Sequence, residues 1–322
     1  MLDFTGFSQP ILEKIGTFKC GKQPKQVLFS PDNKKIILPL LDENGFDVFD
    51  VAQKKVVKRV KPPQADKKGF AEGLFIPEKN GFFVSQMTTG NIYEYSYPDF
   101  LFRRTISTGG TWSKYIIYSP EKNILAVSNW ISNDISIIDY SEGELICLLK
   151  TSAAPRGMIF TDNGKYLISM AFDGGAIEKF DIENKKLVAS IKKEKAAMRH
   201  IVCDSQNKAA YISDMYHKTI YKLDLKSFTI TDSVKVFSNP NTIDLLNDKY
   251  LFVSSRGPNN QEDYTKRSPV NGKIQIIDVT NMKNVYEFEG GNQPTGLDVS
   301  SDGKYLCFSN FQDENIEIYS IK

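Results

Sequence analysis

A chain of 322 residues with 41% hydrophobic, 25% charged and 12% aromatic residues can bury a core and is neither disordered nor fibrous. Its formal net charge of +2 exerts little pull on nucleic acid, so no nucleic-acid partner is expected, and no apolar run approaches the ~20 residues of a transmembrane segment. The opening Met1-Leu2-Asp3-Phe4 lacks the basic segment and apolar core of a secretory signal. A periplasmic or cell-envelope address is expected if an export signal was trimmed, and a cytoplasmic one otherwise.

In chain order, the first predicted element is a strand over residues 11–18, rich in Ile, Leu and Phe. A phrase then recurs every 40 to 45 residues: a short apolar strand, a Ser-Pro-Asp-Asn-like turn, and a second strand ending in Ser plus a polar residue. A variable loop, a strand ending in Asp, and an outer strand rich in Val, Ile and Lys complete each unit. Clear copies of its opening are Val27-Leu28-Phe29-Ser30-Pro31-Asp32-Asn33, Ile117-Tyr118-Ser119-Pro120, Ile159-Phe160-Thr161-Asp162 and Asp298-Val299-Ser300-Ser301-Asp302. Weaker copies stand at Phe75-Ile76-Pro77, Val202-Cys203-Asp204-Ser205 and Leu245-Leu246-Asn247. Four short strands at this period form the pattern of a β-propeller. Six full units run from about Gln23 to Glu289, and the last stretch, from Gln293 to Ile321, supplies only three strands. The N-terminal strand can furnish the missing fourth and so remove the open edges of the ring. The expectation is therefore an all-β, seven-bladed β-propeller over residues 1–322, one domain and a monomer.

The second strands Ala126-Val127-Ser128-Asn129, Tyr211-Ile212-Ser213-Asp214 and Cys307-Phe308-Ser309-Asn310 resemble the Tyr-Val-Thr-Asn tetrad of the YVTN repeats. The third strands Phe46-Asp47-Val48-Phe49-Asp50, Ile135-Ser136-Ile137-Ile138-Asp139 and Ile274-Gln275-Ile276-Ile277-Asp278 resemble that family's Val-Ser-Val-Ile-Asp. The resemblance, to the YncE-like seven-bladed propellers, covers nearly the whole chain, with Ser replacing Thr throughout. It implies a protein of a kind often exported or surface-associated.

One residue per blade just before the innermost strand should ring the channel mouth: Lys25, Ala71, Lys114, Arg156, Arg199, Asn241 and Thr295. Converging cations suit a carboxylate or phosphate, Arg offering bidentate geometry. The bland alternative is a solvated rim neutralised in part by Glu72 and Asp214. The loops after the second strands place Met87, Trp130, Phe172, Met215-Tyr216 and Phe311 as a collar. Phe172 and Phe311 are expected to pack between blades, and Trp112 and Trp130 to make exposed contacts. The sixth unit is interrupted by a long polar loop, residues 256–272, with Arg256, Tyr264, Lys266 and Arg267. Such loops carry function disproportionately, so a lid or docking segment is expected, one whose shortening leaves stability intact.

Only two histidines, His200 and His217, are present. With no dense acidic cluster either, no metal or cofactor is expected. His200, beside Arg199 at the mouth, should resist protonation and could serve as a base, but no nucleophile motif accompanies it. Asp244 and Asp298 occupy equivalent positions in neighbouring units, either as an acid–base pair or, more simply, as acceptors for hydrogen bonds between blades. Cys147, Cys203 and Cys307 lie in strands and should be buried, leaving Cys20 as the exposed thiol. These readings converge on a non-catalytic scaffold presenting a cation-ringed face to a protein, peptide or cell-envelope glycan. A lactonase-like hydrolase using His200 is the alternative.

Overall fold

The computed structural model describes residues 10–63, 67–263 and 265–322. These form seven antiparallel sheets of four strands each. The innermost strands, among them Phe70–Ile76, Ser113–Ser119, Pro155–Thr161 and Met198–Cys203, contact one another in sequence, and the last, Pro294–Val299, meets the first, Leu28–Phe29. The sheets are thus blades of a closed seven-bladed β-propeller. The only helical element among the described residues is a 3-10 turn, Pro77–Lys79. None of the described helices is long and apolar enough to cross a membrane.

Local chemistry explains each blade. In the turn after the innermost strand of blade 1, Ser30 Oγ donates to Asp32 Oδ1 (2.7 Å) and accepts from Lys35 N (2.9 Å), while Asn33 takes φ 57°. Blade 7 repeats it with Ser300, Asp302 and Tyr305, and Gly303 at φ 69°. Asn and Gly tolerate the left-handed backbone that closes this turn. The Ser near the end of the second strand has a different task. In blades 2, 3, 5, 6 and 7 the hydroxyls of Ser85, Ser128, Ser213, Ser254 and Ser309 accept the N–H of a residue in their own innermost strand. Four of them also donate to the next blade, to the carbonyls of Lys114 (2.6 Å), Asn241 (2.8 Å), Thr295 (2.9 Å) and Pro24 (3.0 Å). The repeat's Ser is therefore a rivet between blades.

Seven apolar clusters fill the seven gaps between blades. One joins Phe46 and Val48 of blade 1 to Phe82 and Tyr95 of blade 2, and another joins Met170 and Ile177 of blade 4 to Met198 and Ile212 of blade 5. The closing gap holds Cys307, Ile316 and Ile318 of blade 7 against Val27, Ile36 and Phe49 of blade 1. Each fully buried side chain of this kind contributes roughly 1.5–3 kcal/mol.

The N-terminal strand, Leu12–Lys19, pairs with Asn315–Ile321 and is the fourth strand of blade 7. It carries a bulge between Lys14 and Gly16, matched by a register shift between the third and fourth strands of every other blade. Bulges twist an edge away from further pairing. They also account for three exposed apolar residues, Val57, Ile146 and Val188, which occupy the bulged positions.

The cysteines differ from expectation. Cys307 is buried, but Cys147 and Cys203 are half-buried because they lie nearer the blade margins. Cys20 is not an exposed thiol: it packs against the closing cluster, and burial pushes its thiol well above the usual range.

Candidate functional site

One hydrogen bond repeats in all seven blades. A residue just past the second strand donates its N–H to a carbonyl in the loop that leads into the innermost strand. The pairs are Leu41 to Gln23, Met87 to Gly69, Trp130 to Trp112, Phe172 to Ala154, Met215 to Ala197, Arg256 to Asn239 and Phe311 to Gln293, at 2.9–3.1 Å. All these acceptors except Ala197 have a positive φ, from 49° at Ala154 to 111° at Gly69. This clamp fixes both loops on one face. As a result the side chains of all seven donors line a single cavity of about 560 Å3. A second ring, two residues beyond each acceptor, adds Lys25, Lys114, Arg156, Arg199 and Asn241 to its lining. Ala71 and Thr295, the short members of that ring, are buried beside it.

The cations are not a solvated rim. Lys25 and Lys114 are each 8% exposed, Arg156 4%, Arg199 2% and Arg256 7%. Arg199 Nη2 meets Glu72 Oε1 at 3.3 Å, and Arg256 donates to Gln293 Oε1. Lys25 and Lys114 have no carboxylate within ion-pair distance among the described residues. Aromatic faces take that place: Lys114 Nζ lies 4.1 Å from the Trp130 ring centre, with Arg156 on the same ring at 4.9 Å. Lys25 and Arg256 share Phe311 at 5.5 and 5.3 Å. Burial, then Arg156, Arg199, Arg256 and Lys114, pull Lys25 well below the usual lysine range. Burial, then Arg156 and Arg199, do the same to Lys114, opposed by Glu72 and Asp173. Asp214 neutralises none of them, because it accepts from Ala197 N and His217 Nδ1 instead.

Trp112, Trp130, Asn241 and Arg256 line the cavity as the sequence suggested. Phe172 and Phe311 do so too, rather than only packing between blades, and Phe172 packs against Trp130 with tilted rings, their centres 5.0 Å apart. Glu72, His200 and Tyr216 do not line it. A bulge sets Arg199 apart from the paired Met198 and His200, so Arg199 borders the cavity while His200 turns into the channel toward Tyr115. There its Nε2 lies 3.2 Å from Tyr115 Oη, its Nδ1 has no partner among the described residues, and burial with Arg199 and Arg156 lowers its pKa to about 3. Glu72, at the equivalent position of blade 2, is held as the counter-ion of Arg199. Tyr216 is 56% exposed because its neighbour Met215 takes the clamped position. Tyr264 lies outside the described residues. The sequence reading missed Leu41, and Arg256 as the sixth blade's member of the collar; counting from the Ser-Ser that ends the sixth blade's second strand finds Arg256, whereas blade 1's second strand ends in Pro39 and offers no such mark for Leu41.

Asp244 Oδ2 accepts from Val299 N of blade 7 (2.8 Å), and Asp298 Oδ2 from Phe29 N of blade 1 (2.6 Å). These are inter-blade hydrogen bonds, and the two carboxyl groups also hydrogen-bond to each other as a close pair. Burial and the adjoining Asp244 push Asp298 well above the usual carboxylate range.

The loop over residues 256–272 is built into blade 7 rather than held as a free flap. Arg267 pairs with Asp313 at 2.6 Å, Ser268 N donates to Asn292 Oδ1, and Asn292 Nδ2 donates back to Ser268 O. Arg256, Asn259 and Thr265 form one wall of the cavity. Shortening the loop would strand buried Asn292, so that change is expected to lower stability rather than leave it intact.

The sequence matches the YNCE-like beta-propeller family over residues 12–297. It is also 40% identical over 317 residues to Antigen Lp49 of Leptospira interrogans serogroup Icterohaemorrhagiae serovar copenhageni (strain Fiocruz L1-130). That alignment covers 95% of this chain and 69% of the relative. With seven clamped blades, a ring closed by its N-terminal strand and a family match along nearly its full length, the chain belongs to the YNCE-like β-propellers.

Proposed function

We propose that the protein is a non-catalytic binding scaffold whose clamped face takes the acidic part of a protein, peptide or cell-envelope glycan. The observation that carries this reading is the convergence of buried cations from five blades on one aromatic-walled cavity. Burying like charges together is costly unless something compensates them, and aromatic faces supply only part of that compensation. An anionic ligand group supplies the rest. The relative's name, an antigen, suits a protein that meets other molecules. His200 offers little as a base at the mouth, since it points away from the cavity and is hydrogen-bonded to Tyr115.

A mixed peptide and glycan array tests the reading. The wild type should retain acidic members at low salt, and Lys114→Met/Arg156→Met should lose them at least tenfold. Equal retention by both proteins would refute it. Turnover of aryl esters or lactones that disappears in His200→Gln would put the hydrolase in its place.

A further inference from the structure

Provided that the clamped face binds anions as just proposed, the same cavity also distinguishes among them. Its buried cations come from blades 1, 3, 4, 5 and 6, so their charge surrounds the ring axis instead of lying along one wall, while the exposed Lys68 of the lining is paired with Asp42. A carboxylate is planar and presents acceptors along one edge. A tetrahedral oxyanion radiates acceptors in several directions and can meet donors arriving from opposite blades at once.

Charge narrows the choice further. Lys25 is opposed by four other cations, and of the carboxylates nearby Glu72 is paired with Arg199, Asp42 with Lys68, and Asp173 acts on Lys114 from beyond ion-pair distance. A group bearing one negative charge leaves most of that repulsion standing. A phosphate monoester carries about −1.5 to −2 at neutral pH and three strong acceptor oxygens, whereas a sulfate ester carries a single charge. Arg199 adds an independent sign of a missing acceptor. It is 2% exposed, it borders the cavity, and its Nε and Nη1 have no hydrogen-bond partner among the described residues. Buried donors left in that state are costly, more so when charged, and a ligand oxygen would satisfy them.

Part of the remaining wall is apolar, beside polar residues such as Thr88, Asn241 and Thr265. Met87, Trp112, Phe172 and Met215 form that apolar part, and about 560 Å3 suits a small organic molecule. Trp130 and Phe311 carry cations on their faces, which holds those charges in place while leaving the cations' N–H groups able to turn to a ligand oxygen.

We propose that the cavity is a receptor for a small-molecule phosphate monoester, its phosphoryl group held among the five cations and its organic part against Trp112 and Phe172.

Isothermal titration of the full chain with phenyl phosphate, phenyl sulfate, benzoate and inorganic phosphate tests this at pH 7.5. Phenyl phosphate is expected to bind at least tenfold more tightly than the other three. Lys25→Met and Lys114→Met should each weaken it at least tenfold. Both variants remove a buried charge from a repulsive cluster and are expected to melt no lower than wild type, which separates lost binding from lost folding. Phenyl sulfate or benzoate binding as well as phenyl phosphate would overturn the phosphate assignment while leaving a general anion scaffold. Inorganic phosphate binding as tightly would overturn the ester assignment. Phenyl phosphate binding that is indifferent to both lysines would remove the cavity as its site. Binding by none of the four would overturn the receptor, and if the array also retains no acidic ligand, the scaffold reading falls with it.

Discussion

Arg199 and Glu72 show how a charge is kept inside this ring. Each is almost fully buried, and each is the other's ion-pair partner across blades 2 and 5. Removing one partner of a buried pair costs about 3–5 kcal/mol, chiefly through the charge left behind. Arg199→Met should therefore lose stability on that scale in urea unfolding, and the added change Glu72→Leu should recover most of it. An equal loss in the double variant would show that the ion pair is not the cause. His200 gives the molecule a slope in acid. Its folded pKa of about 3 lies below the ordinary 6.5, so below pH 6.5 the unfolded chain takes up a proton that the folded one refuses. Stability then falls with pH, by about 2 kcal/mol at pH 5. His200→Gln should flatten that part of the pH–stability curve. A curve of unchanged slope would mean that the ring titrates normally in the channel.

At the scale of the strand and loop, the riveting serines explain why the repeat could be read at all. Ser254 accepts Thr242 N at 3.1 Å and donates to Thr295 O at 2.9 Å, so one side chain closes its own blade and binds the next. Ser254→Ala should cost about 1–3 kcal/mol, whereas Ser141→Ala, at an exposed turn, should stay within about 0.5 kcal/mol. Similar values for the two would deny the serine its role between blades. Because such a task recurs, the residue recurs, and blade number, strand order and ring closure were all legible from the chain. So were most cavity residues, since a repeated hydrogen bond places them at a constant offset. What could not be read was parity. Arg199 and His200 are adjacent, as are Met215 and Tyr216, and sequence alone does not say which of two neighbours a clamp turns inward. The anchoring of loop 256–272 was equally hidden, because it depends on Asn292 and Asp313 meeting it from another blade.

For the whole molecule the decisive joint is the seam between the first and last strands. An open row of blades would expose an edge at blade 7 and uncover the closing cluster, and the strand Leu12–Lys19 prevents both. Phe18 packs on Phe49 at 5.4 Å, Ile15 joins it against the cluster, and Leu12 reaches the neighbouring one. Lys14 pairs at 2.6 Å with Glu317, which is only 5% exposed and loses its cation if the strand is removed. Deleting residues 1–19 removes three half-buried apolar side chains and uncovers the cluster surface beneath them, at up to roughly 1.5 kcal/mol each. With about 2–4 °C per kcal/mol, melting should fall by roughly 10 °C. The freed edge, Asn315–Ile321, should also pair with another copy, visible as dimers or larger species in size-exclusion chromatography. Adding a synthetic peptide of residues 10–20 supplies the missing strand in trans and should restore both the melting temperature and the monomer. A truncated protein that stays monomeric and melts as wild type would mean that the blades hold their circle without the strand, through the apolar gaps alone.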